Sequence, residues 1–170
     1  VTHWRSTTHG LVSDRVGSLL RTGDERIWVL FQSGEVQWLD LAAGRARSMS
    51  ELDQHTLGAV RAIGAAGPDG LWLASETGLW RYESGHAKLL ADAHLGSVIT
   101  SQSRVLLEDG SGTLWVGAGD GLWRLALDGT TRIALPFATL EDSERPEVES
   151  LLLDRNNRLW IGTRRGAFVL

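Results

Sequence analysis

Apolar and polar residues alternate along most of this chain, and glycine interrupts the alternation at regular places. In "LWVGAGDGLWRLAL", Leu114 to Leu127, every second position is apolar on both sides of a Gly-Asp-Gly turn. A period of two puts alternate side chains on one face of a strand, and glycine tolerates the positive φ of a tight hairpin turn. The segment therefore predicts strand, turn, strand. No apolar stripe at helical spacing competes with that reading anywhere in the sequence.

The pattern recurs. Trp28, Trp72, Trp115 and Trp160 are separated by 44, 43 and 45 residues. Six positions after each stands a glycine, Gly34, Gly78, Gly121 and Gly166. Eight positions after stands Val36, Trp80, Trp123 or Phe168, and twelve before stands Val16, Val60, Ser103 or Val148. Each repeat thus predicts an antiparallel meander. A first strand such as "VGSLLR" or "VESLLLD" turns through a polar tip, "EDGSG" or "DRNNR", into a second strand that carries the tryptophan. A third strand follows the glycine, and a weaker fourth is legible in "RARSMS", "AKLLA" and "TRIALP". Four strands in about 44 residues is the size of a propeller blade. The predicted fold is an all-β propeller of four-stranded antiparallel blades at residues 16–50, 58–92, 103–137 and 147–170, forming a single domain over 1–170.

The stretches "VLLEDGSGTLWVGAGDGLWRL" and "VESLLLDRNNRLWIGTRRGAFVL" resemble the two-component regulator propeller repeat, whose blades follow V-x-S-L-x-x-D-x-x-G-x-L-W-I-G-T-x-x-G-L. "ERIWVLFQSGEV" and "DGLWLASETGLWRY" follow it more loosely, and "HGLVSDRVGSLL" is similar to the connection that precedes a blade. The resemblance implies the extracytoplasmic sensing region of a bacterial histidine kinase or diguanylate cyclase, on the periplasmic or extracellular side of the inner membrane. It implies a non-catalytic role in which a small molecule or glycan, or a partner, biases the rest of a larger signalling protein. A scaffold for protein interaction or dimerisation is the alternative. A lyase propeller stands third, because "GPDGLW", Gly67 to Trp72, is similar to the repeat of antibiotic-inactivating lyases but appears once, without their Phe-Thr-Glu continuation.

The last repeat lacks a fourth strand, and residues 1–6 are expected to supply it. Pairing the termini would remove a sheet edge. Closure within one chain, exchange with a second copy, and continuation into a longer propeller all satisfy the strand count. The chain does not open with Met and reads as a mature or excised piece.

Composition narrows the chemistry. The 170 residues are 42% hydrophobic, with a net charge of -4 and scattered basic residues, so no stripe invites nucleic acid. There is no Cys, hence no disulfide frame or thiolate site. No apolar run reaches the roughly 20 residues of a membrane helix. His3, His9, His55, His86 and His94 show no metal-ligand spacing, and no cofactor or metal is expected. Asp109-Gly110-Ser111-Gly112 and Pro68-Asp69-Gly70 lack the acidic ligand pattern of a calcium loop and read as turns. The marker tryptophans and glycines repeat at fixed offsets and read as structural. The turns between second and third strands vary instead in charge. Gln32, Glu76, Gly119 with Asp120, and Arg164 with Arg165 are accordingly the candidate ligand-facing residues. The acidic connection Leu140 to Ser150 is expected to open onto the same face, where it either opposes Arg164 and Arg165 or is simply solvated.

Overall fold

In the computed structural model, the described residues are 2–49, 55–90, 103–126, 129–133 and 147–170. After a four-residue helix, α1 (Ser6–His9), they form four antiparallel sheets. The first is β1 (Val16–Arg21), β2 (Ile27–Phe31), β3 (Val36–Asp40) and β4 (Arg45–Ser48). The second is β5 (Val60–Ala66), β6 (Gly70–Ser75), β7 (Gly78–Glu83) and β8 (His86–Leu89). The third is β9 (Ser103–Glu108), β10 (Leu114–Ala118), β11 (Gly121–Ala126) and β12 (Gly129–Ile133). The last is β13 (Val148–Leu153), β14 (Leu159–Thr163) and β15 (Gly166–Val169). Within each sheet, strands pair in chain order. First strands of successive sheets lie side by side, β1 by β5, β5 by β9 and β9 by β13, so the architecture is propeller-like.

The period-two pattern decides what each sheet buries. Trp28 and Leu30 project from β2 toward the second sheet and join Val60, Leu71 and Leu73, with Tyr82 edge-on to Trp28 at 5.6 Å between ring centroids. Trp72 meets Leu106, Leu114, Val116 and Leu125 of the third sheet. Trp115 packs with Leu159, Ile161 and Phe168 of the last. Trp28, Trp72 and Trp115 are thus each covered by the sheet that follows. The contact is close enough to exclude a side chain at two positions. A Cβ on Gly64 would stand 2.7 Å from Leu106, and one on Gly117 would stand 2.5 Å from Val148.

The same four indoles are also held from below. The tip between first and second strands places an acceptor six residues before the tryptophan. Trp115 Nε1 donates to Asp109 at 2.9 Å and Trp160 Nε1 to Asp154 at 2.9 Å. The other carboxylate oxygen of each aspartate accepts two backbone amides, from Ser111 and Thr113 or from Asn156 and Arg158. In the first sheet Thr22 occupies the acceptor position, takes the Trp28 indole at 3.3 Å and is backed by Asp24. In the second sheet the position is Ala66, and Trp72 reaches across to Glu108 of the third sheet at 2.6 Å.

Among the described residues, 2–6 make no pairing with the last sheet, which has three strands there; Val1 lies outside them. Residues 2–5 form no strand; Trp4 packs with Leu11, Val29, Phe31, Leu39 and Ala46 on the first sheet. Apolar contact with the nearest uncovered face, together with a 2.7 Å bond from the Ser6 amide to Asp14, holds this segment at its own end of the chain.

Candidate functional site

The start of every first strand lies beside the turn between the second and third strands, and both share one end of the molecule with the connections between sheets. The four turn glycines, Gly34, Gly78, Gly121 and Gly166, have φ between 95° and 152°. This turn end carries the candidate residues.

A bulge recurs here in all four sheets. The extra residue falls eleven positions before the marker tryptophan, at Gly17, Arg61, Arg104 and Glu149. A bulge re-aims the side chain it carries. At this position it brings the side chain to the residue four after the tryptophan in the same sheet. Arg61 meets Glu76 at 2.5 Å, and Glu149 meets Arg164 at 2.8 Å with the charges exchanged. Gly17 and Gln32 occupy the same positions of the first sheet without charge. In the third sheet the partner position is Gly119, and Arg104 turns to Glu147 at the entrance of the last sheet, 2.9 Å away. Glu147 also lies 3.4 Å from Arg164, which makes a chain of charges from the third sheet to the last. The bond from Glu149, then the charges of Glu147 and Glu149, hold the Arg164 guanidinium firmly protonated.

The sequence candidates thus divide. Glu76 and Arg164 are exposed and ion-paired. Gln32 and Arg165 are exposed, and neither side chain makes an ion pair among the described residues. Asp120 is half-buried and accepts the Trp123 indole N–H at 3.0 Å, as Thr77 accepts that of Trp80 at 3.2 Å. This aspartate ties its turn to the third strand. The described end of the acidic connection, Glu147 to Ser150, opposes Arg164 but not Arg165; residues 140–146 lie outside the described residues, as does His94. Sequence reasoning missed Arg61, Arg104, Glu147 and Glu149. Their signal was a charge beside the residue that opens the first strand, which is apolar in every repeat but the third, where it is Ser103.

A cleft of about 400 Å³ lies at the same end, between the 33–36 turn and residues 55–60, and opens to solvent. Of the remaining histidines, His3 precedes α1, His9 ends it and His86 begins β8. Among the described residues no group of three or more His, Asp or Glu could hold a metal ion, and no helix is long and apolar enough to cross a membrane.

Comparison with known proteins bears on this arrangement. Residues 145–165, the start of the last sheet through its turn, match the two component regulator propeller family. No curated protein matches the chain in a sequence comparison. Among solved structures the chain is similar to an extracellular domain from Bacteroides thetaiotaomicron described as part of a hybrid two component system, BT4673. The identity is 17% and the TM-score 0.75, over 98% of this chain and 22% of that one. A second such domain, from BT3049 of the same organism, gives 18% identity and a TM-score of 0.68 over 99% of this chain and 22% of that one. Virginiamycin B lyase from Staphylococcus aureus is similar at 13% identity, TM-score 0.62, over 94% of this chain and 56% of the enzyme. At these identities the likeness is one of fold. The chain spans about a fifth of the length of the extracellular domains it matches.

Proposed function

Since the chain carries a two component regulator propeller repeat at residues 145–165, we propose that it is a non-catalytic part of the extracellular sensing region of a bacterial signalling protein. In this reading the four sheets are blades of a larger propeller whose output is a histidine kinase or diguanylate cyclase. The observation that carries it is the coincidence of the family match in the last sheet with a fold-level likeness, over nearly the whole chain, to extracellular domains of two component systems. Its site is the turn end. There the bulge fixes the geometry while the residue pairs change from neutral to Arg-Glu to Glu-Arg, so one scaffold presents a different surface at each sheet. A small molecule or glycan bound across that end would compete with the ion pairs and alter how neighbouring sheets lean on one another.

The experiment is a reporter assay in the parent signalling protein. Excising these four sheets, or reversing Arg104 and Arg164 to glutamate, is expected to abolish the response to extracellular glycan fragments while leaving the protein in the membrane. An unchanged response would overturn the sensing role.

A scaffold reading is favoured by a different observation, the last sheet's outward face, where Leu152 is 62% and Trp160 39% exposed. That face would be covered by a further blade or by a second copy. The likeness to a lyase rests on fold alone, and the described residues offer no metal cluster for such chemistry.

A further inference from the structure

The sheets differ at their outer edges. β4 closes the first sheet with Arg45 and Arg47, and β8 closes the second with His86 and Lys88. Charged side chains along an outer strand deter pairing with another chain. β15 is the edge of the last sheet, and from Gly166 to Leu170 it reads Gly-Ala-Phe-Val-Leu, without a charge. Ala167, Val169 and Leu170 are exposed. Among the described residues no strand pairs with this edge, and Trp4 holds the N-terminal segment on the first sheet.

The register shows which backbone groups face outward. Leu159 and Leu170 exchange both backbone bonds, at 3.1 and 2.9 Å, and Ile161 stands opposite Phe168. In an antiparallel ladder such pairs alternate with residues whose N–H and C=O point away from the partner strand. Ala167 and Val169 are those residues, each with one donor and one acceptor on the free side. A row of this kind is a template for another strand.

The residues along the edge select that strand. Turned antiparallel about Phe168, a second β15 sets Val169 opposite Ala167 and Leu170 opposite Gly166, so a large side chain meets a small one in both flanking pairs. A Cβ on Gly166 would meet nothing within 4 Å, which leaves room for the facing leucine. Phe168 faces its own copy in a close pair without hydrogen bonds, where aromatic side chains stabilise a sheet. Ala167 and Val169 then exchange all their outward backbone groups.

We propose that β15 pairs edge to edge with β15 of a second copy, in an isologous dimer whose two last sheets become one continuous sheet. The pairing lies in the plane of the sheet and leaves the Trp160 face open. It goes beyond the sensing reading and does not rest on it, since self-association is measured without any signal.

The test is amide hydrogen exchange on the 170-residue chain, with the mass in solution measured by light scattering over the same concentrations. For so few backbone bonds the Kd is expected on the order of 100 µM. From about tenfold below to about tenfold above that value, the mass should rise toward two chains, and the Ala167 and Val169 amides should gain about fivefold in protection. The Phe168 amide, on the β14 side, should change little. Val169→Pro removes an outward N–H without touching β14, and Val169→Lys gives β15 an edge charge such as Lys88 gives β8. Each should weaken the dimer by about tenfold or more, and Val169→Lys should keep the monomer's Tm within about 4 °C of the parent's. A monomer throughout the range, or a dimer that either variant leaves unchanged, would overturn the proposal. So would growth beyond two chains, which an isologous contact forbids. Ala167 and Val169 amides equally protected at every concentration would overturn it too, because a segment of the same chain would then hold the edge.

Discussion

The first and last sheets carry the same indole clasp and bury it to different depths. Trp28 and Trp160 both donate to an acceptor six residues earlier, at 3.3 and 2.9 Å. Yet Trp28 is 1% exposed and Trp160 is 39% exposed. The clasp is local, built from one turn. Burial is not local, since the second sheet covers Trp28 and no described element covers Trp160 in the same way. Stability in such arrays is a sum of repeat and neighbour terms, and these two tryptophans separate them.

The largest effect should come from removing the neighbour term. Trp28→Ala is expected to destabilise the chain by about 3–5 kcal/mol in urea unfolding, as for a fully buried aromatic. Trp160→Ala should cost about 1 kcal/mol, chiefly the lost bond to Asp154. Equal losses would break the comparison.

Next comes the sheet whose clasp is not local. Trp72 has Ala66 where the others have an acceptor and depends on Glu108 of the third sheet. Trp72→Phe should cost about 1–3 kcal/mol by leaving that half-buried carboxylate without its donor. Glu108→Gln, which keeps an acceptor, should cost less than half as much.

The clasps also predict a pH dependence. Burial pushes the Asp109 carboxyl up, but bonds from the Ser111 hydroxyl, the Trp115 indole and the Ser111 and Thr113 amides outweigh it and hold the group below its ordinary 3.8. Asp154 is held well below the usual range by the Trp160 indole, then by the Arg158 amide and guanidinium and the Asn156 amide. A carboxyl depressed in the folded state binds fewer protons there than in the unfolded chain. Its stabilisation is therefore full above about pH 4 and lost as pH falls through the lower folded value. Tm should decline from pH 5 to pH 3, and the Asp109→Asn and Asp154→Asn double variant should start lower at pH 5 and decline less.

The smallest effect should be at the turn end. Arg61 and Glu76 are about half exposed, and exchanging them copies the Glu149–Arg164 order of the last sheet. The exchanged pair should differ from the parent by less than about 0.5 kcal/mol. A larger change would mean that this position carries more than a solvated ion pair.

Much of this was legible in the sequence because the repeat is written in local rules. Trp28, Trp72, Trp115 and Trp160 with their glycines mark strand, turn and strand, and Asp109 announces a turn by its own backbone bonding. What was not legible depends on neighbours or on counting. Asp120 is like any solvent-facing turn residue until Trp123, three residues on, folds back onto it. The bulged arginines and glutamates look like ordinary strand charges, since a bulge leaves no composition signal of its own. Strand counting made residues 1–6 one candidate for the last sheet's outer strand, whereas apolar contact with Val29 and Phe31 holds Trp4 on the first sheet.

The most direct test of the account is hydrogen exchange at the indole nitrogens, followed by ¹⁵N NMR on the tryptophan-labelled chain. All four marker indoles are hydrogen-bonded, so the account predicts that burial by the next sheet orders them. Trp28 and Trp72 should exchange slowest, Trp115 faster and Trp160 fastest, independent of protein concentration. Trp160 protected as strongly as Trp28 would contradict it.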